Sequence, residues 1–128
     1  MRFRLRKYLT TFQALPWRQP LFFVAVSLSL LFLVLILVLL LWRLRPVVSG
    51  RDLIPLHYNV YVGVDRVGPW TRLLWIPGFG LLVLVLNILC ASWWYGREKM
   101  LSTFFIAGTP VIEFALLVAT LLILLVNL

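Results

Sequence analysis

Four polar side chains in this sequence stand where their chemistry would matter. His57, Asn59 and Asp65 lie in residues 53–70, LIPLHYNVYVGVDRVGPW, and Glu113 lies inside a long apolar run. A histidine and an aspartate can form an acid–base dyad or part of a metal site. Their spacing argues against both. Along one extended strand the two residues are about 26 Å apart, so they meet only if the chain turns near Gly63. Zinc usually takes three or more protein ligands, and the chain has one histidine and one cysteine. No Ser–His–acid arrangement, glycine-rich phosphate loop or cysteine pair accompanies them. Catalysis, a metal and a cofactor are therefore not expected. His57, Asn59 and Asp65 remain as hydrogen-bonding groups over neighbouring helix ends, or as a binding surface for a partner.

Glu113 poses a different problem. A bare carboxylate in mid-membrane costs at least a few kcal/mol. It must be neutral, paired or facing water. A proton relay needs several ionisable groups in series, and only one is present. The expected role is a neutral carboxyl that hydrogen-bonds one helix to another.

The rest of the chain says what must position these groups. Of 128 residues, 63% are hydrophobic and 12% charged, too apolar a balance for a soluble domain of this size to bury. The apolar residues come in long runs, so a bilayer must solvate them. The net charge of +8 sits on the flanks of those runs, as membrane anchors do. Clustered base readers and stacking aromatics are lacking, which argues against nucleic acid as a partner. Cys90 lies within an apolar run and leaves the redox compartment unreadable.

The expected fold is an all-α membrane protein with three transmembrane helices. Residues 1–19 form a basic amphipathic segment, with Arg2, Arg4, Arg6 and Lys7 suited to anionic headgroups. Residues 20–42 form the first span; the following WRLRP does not resemble a signal-peptide cleavage site. Residues 43–73 form an outer loop. Residues 74–95 form the second span, 96–99 a cytoplasmic turn, and 100–127 the third span. No repeat or second domain is evident.

Within the outer loop, residues 56–64 alternate strictly, with Leu56, Tyr58, Val60, Val62 and Val64 on one side. Period two with β-branched and aromatic residues reads as a half-buried strand. A lone strand leaves backbone groups unpaired, so an irregular loop is the alternative.

The spans carry their own pattern. Gly80, Leu84, Asn87 and Ala91 share a face of the second span. Ser102, Thr109, Glu113, Thr120 and Asn127 share one face of the third, and Gly108, Ala115 and Ala119 another. Antiparallel pairing about the short turn puts Glu113 level with Gly80 and Leu81, and brings Asn87 near Thr109. Asn87, Thr109, Glu113 and Thr120 are thus expected to pack as intramembrane polar groups. The second face predicts a membrane-protein partner or self-association through Gly108, Ala115 and Ala119.

Seven basic residues fall on the amino-terminal side of the bilayer and five in the outer loop. That bias, with the short second turn, predicts a cytoplasmic amino terminus and an extracytoplasmic carboxyl terminus.

Pro55, His57, Tyr58 and Asn59, followed by Asp65 and Gly68, stand between two apolar spans. This resembles the SdpI-like immunity-protein family of bacterial membrane proteins, over about residues 21–95. Gly63 falls one residue later than in that pattern, and Pro69-Trp70 replaces a small residue and lysine. The resemblance implies an extracytoplasmic motif and an immunity or signalling role at the bacterial inner membrane. The combined expectation is a non-enzymatic membrane factor acting through its outer loop, or else a subunit of a larger membrane complex.

Overall fold

Three runs of leucine, valine and phenylalanine become helices in the computed structural model, which describes residues 19–44, 50 and 53–127. The basic segment expected at the amino terminus lies, apart from Gln19, outside the described residues. Helix α1 spans Pro20–Leu39, with proline in its first turn, where a fixed φ suits the helix and the missing N–H is no loss. It ends in a wider π-helical turn, Leu40–Leu44. Two strands follow, β1 (Ile54–Asn59) and β2 (Gly63–Gly68). A 3-10 turn, Trp70–Leu74, leads into α2 (Trp75–Trp94). Pro77 falls in the first turn of α2, where helices accept proline. Helix α3 spans Lys99–Asn127 and carries Pro110 inside it.

The helices are inverted in polarity compared with those of a soluble protein. The buried residues of α3 are Ser102, Ile106, Thr109, Glu113, Thr120, Leu124 and Asn127. Its outward face carries Phe104, Val111, Phe114, Leu122 and Leu125. Three stretches, of 24, 25 and 29 residues, are long and apolar enough to cross a membrane. At about 1.5 Å per residue each exceeds the hydrocarbon thickness of roughly 30 Å. Only lipid makes such an arrangement favourable, and the chain is a multi-pass membrane protein.

Helix α3 is the hub. Both α1 and α2 pack extensively against it and much less against each other. Phe22, Ala25, Ala91 and Ile106 form one apolar layer, at the end of the bundle near the α2–α3 turn. Ile36, Leu40, Ile54, Leu73 and Leu124 form a second, beneath the hairpin. Between these layers Phe32 of α1 meets Phe114 of α3, with ring centroids 5.7 Å apart. The turn joining α2 to α3 is closed by the N–H groups of Arg97 and Glu98 donating to the Trp94 carbonyl. Beside it the Ser102 hydroxyl donates to the Ala91 carbonyl at 2.6 Å.

The segment between α1 and α2 corrects one expectation. Residues 56–64 do not form a single strand; β1 and β2 pair antiparallel as a hairpin, with Tyr58 opposite Val64 and Asn59 opposite Gly63. The Tyr61 N–H donates to the Asn59 side-chain oxygen at 2.9 Å, which bends the chain locally. Gly63 takes φ +83°, a left-handed conformation that glycine adopts without steric cost. Pairing also satisfies backbone groups that a lone strand would leave open.

The hairpin is seated at its base. Ile54 is buried among Ile36, Leu40, Leu73 and Leu124, from three separate elements. The Asn127 amide donates to the Pro55 carbonyl at 2.9 Å and to the Ile123 carbonyl at 2.8 Å. Residues far apart in sequence, one in β1 and one at the end of α3, are thereby locked together. Asn127→Ala removes one hydrogen bond to the hairpin, worth about 1 kcal/mol. Amide exchange in β1 should accelerate roughly fivefold in hydrogen–deuterium exchange, with the exchange of α2 unchanged. Equal rates in both proteins would show that the clamp is not what seats β1.

Candidate functional site

Polar groups come together on the flank of the hairpin and in the centre of the bundle. On the hairpin, the turn at residues 60–62 folds β2 back along β1. This closes the distance that a single strand would have kept. His57 Nδ1 lies 2.7 Å from Asp65 Oδ1. The ladder is irregular here, with register shifts on either side of His57. Their side chains are 64% and 37% exposed, so the pair stands at the surface rather than in a cleft. Asn59 sits two residues on, its side-chain oxygen engaged by the turn.

The hydrogen bond from His57 holds the Asp65 carboxyl below its ordinary value of 3.8, assisted by the nearby charges of His57 and Arg66 and opposed by desolvation. The folded value is the lower one. Asp65 therefore favours the folded hairpin above its unfolded value, and that contribution is lost as pH falls through the lowered value.

The pair lacks a third ligand. Among the described residues no group of three or more histidine, cysteine or acidic side chains could hold a metal ion. What the hairpin does offer is an exposed apolar tip. Val60, Tyr61 and Val62 are 85%, 97% and 75% exposed.

In the bundle centre, Asn87 of α2 donates to Thr109 of α3 at 2.9 Å, and Thr109 in turn donates to the Phe105 carbonyl of its own helix at 3.0 Å. Thr120 is fully buried and returns its hydroxyl to the Leu116 carbonyl at 2.9 Å. Glu113 is fully buried as well. It corrects the second expectation: neither carboxyl oxygen has a hydrogen-bond partner among the described residues.

The carboxyl lies against Gly80, at the depth expected from the turn. A Cβ built on Gly80 would stand 2.5 Å from Glu113 Oε2 and 2.6 Å from a methyl of Leu33. Glycine is the residue that leaves the room.

Ser29 of α1 is the residue that the sequence pattern missed. Its hydroxyl is buried and likewise has no partner among the described residues. Phe22 and Ile106 belong to one apolar layer, and Leu40 and Leu124 to the other. Ser29 stands seven residues beyond Phe22, as Glu113 does beyond Ile106. The two orphaned side chains therefore occupy the same depth. Serines are common in spans, and nothing in α1 alone marks this one.

The second face expected on α3 is open. Ala115 and Ala119 are exposed, and a Cβ at Gly108 would meet nothing within 4 Å. Comparison with protein-family models, curated proteins and solved structures gave no match.

Two outcomes test this geometry. Gly80→Ala should destabilise the protein in detergent by about 1–3 kcal/mol, as overpacking does. Adding Glu113→Ala should recover part of that loss, since the two side chains would compete for one space. Additive losses would mean that Gly80 does not make room for Glu113. On the hairpin, His57→Ala should move the Asp65 carboxyl up towards 3.8 in an NMR titration. An unmoved carboxyl would show that the pair does not form in solution.

Proposed function

We propose that this is a small, non-enzymatic protein of the bacterial inner membrane whose extracytoplasmic hairpin recognises a partner, in the manner of an immunity factor. The observation that carries the reading is the contrast between the two ends of the hairpin. Its base is fixed on the helix ends through buried Ile54 and the Asn127–Pro55 hydrogen bond. Its tip offers Val60, Tyr61 and Val62 to the surroundings. Six strand residues carry the tip up to about 20 Å from the base. Exposed aromatic residues on a fixed support lose little entropy when they dock. The His57–Asp65 pair braces the flank of this projection.

The charge bias of the flanks supports a cytoplasmic amino terminus, with the hairpin and the carboxyl terminus outside. The resemblance of Pro55, His57, Tyr58, Asn59 and Asp65 to the immunity-protein motif supports the bacterial setting and the protective role. Anionic lipid is the natural counterpart of the basic flanks.

One observation favours a second reading. The open face of α3, with Gly108, Ala115 and Ala119, suits close helix contact with another membrane protein. In that reading the chain is a subunit of a larger complex.

Site-specific photocrosslinking in intact cells separates the two. Recognition predicts a discrete protein or peptide adduct from a crosslinker at Tyr61, reached from outside the cell. The subunit reading predicts an adduct from Ala119 and none from Tyr61. A thiol label applied from outside should react with Asn59→Cys, and a failure to react would invert the orientation.

A further inference from the structure

The two edges of the hairpin differ. The outer edge of β1 is closed at its base: Pro55 has no N–H to offer, and its carbonyl is taken by Asn127. β1 also lies against α3 and the 3-10 turn. β2 has extensive packing with β1 alone. Among the described residues, no backbone hydrogen bond reaches β2 from anywhere but the hairpin ladder. Among the described residues, β2 therefore presents a row of N–H and C=O groups without a partner outside the hairpin, along six residues without a proline.

The side chains on β2 narrow what could fill that edge. Val64 and Val67 are exposed apolar residues. Asp65 is already engaged by His57. Arg66 is exposed and has no ion pair among the described residues. Arg72 lies close by, its side chain crossing Gly68 at the end of the strand. The unsatisfied charge along the edge is thus positive. A lipid chain has no groups to meet a backbone ladder. A second copy of this chain fits poorly. Two-fold antiparallel pairing centred on β2 sets Asp65 against Asp65, or Arg66 against Arg66, and like charges directly opposite are destabilising.

We propose that β2 takes an extended acidic peptide segment of the partner as a third strand. Main-chain hydrogen bonds run along residues 63–68, an acidic side chain meets Arg66, and apolar side chains cover Val64 and Val67. This rests on the recognition role proposed above and specifies how the partner is held.

The test uses the full chain in lipid nanodiscs and a labelled heptapeptide of alternating valine and glutamate. A control peptide carries the same side chains with every amide nitrogen methylated, so it keeps the charge and loses the ladder. The expected result is binding of the first peptide, slowed hydrogen exchange at residues 64–67, and at least tenfold weaker binding of the methylated control. Arg66→Glu should weaken the acidic peptide at least tenfold and favour the lysine counterpart. Equal binding of the two peptides, unchanged exchange in β2, or no binding at all would overturn strand addition. If that happens while Tyr61 still crosslinks in cells, the hairpin recognises through its tip and the broader reading stands. Loss of both results removes the recognition role as well.

Discussion

In hydrocarbon a polar side chain has no water to fall back on, and the polar stripe of α3 sets the arrangement of everything around it. Leucine packed on leucine gains little over leucine packed on lipid, so apolar contacts alone fix neither register nor rotation. The polar contacts do. Ser102 holds the Ala91 carbonyl near the turn, Thr109 receives Asn87, Glu113 fits the gap left by Gly80, and Asn127 holds the hairpin. These four points lie along one face of one helix. Three set the height of α2 against α3, and the fourth carries that alignment into the segment outside the spans.

Glu113 shows the cost of this design. Its carboxyl and the Ser29 hydroxyl lie at one depth with no hydrogen-bond partner. Each such group loses stabilisation that a matched pair would supply. The loss is compatible with folding because the Ser102, Thr109 and Thr120 hydroxyls and the Asn127 amide nitrogen all donate, and the apolar layers above and below are closed. The arrangement also makes this layer sensitive to shape: a single methyl at Gly80 would strike both Glu113 and Leu33.

Much of the bundle was legible in the sequence for a simple reason. A short turn between two helices ties depth to residue number, so Glu113 could be set beside Gly80, and Asn87 beside Thr109, by counting. The hairpin was hidden because alternation runs unbroken through Val60, Tyr61 and Val62, all good strand formers, although the chain turns there. Asn59 and Gly63, residues suited to bending a chain, were the available signal. The closeness of His57 and Asp65 follows from that turn, so it could be stated beforehand only as a condition. Counting gives depth but not reach. It placed Glu113 correctly and still assigned it a hydrogen bond that its neighbours do not supply.

The hairpin and the bundle are mechanically one object. Ile54 rests on residues from α1, α3 and the turn before α2, so no single helix can shift without disturbing its seat. The Asn127–Pro55 hydrogen bond adds a direct strut to α3. A load applied at Tyr61 acts at the end of a lever about six residues long, and its reaction falls on that strut and on Ile54. The strut belongs to the same helix as Glu113 and Thr109. Ordering of the hairpin by a partner would therefore be felt first at the end of α3, then at the polar layer where Glu113 is held by shape alone. Of the contacts that align α3, the one without a hydrogen bond is the one least able to resist a displacement along the helix axis.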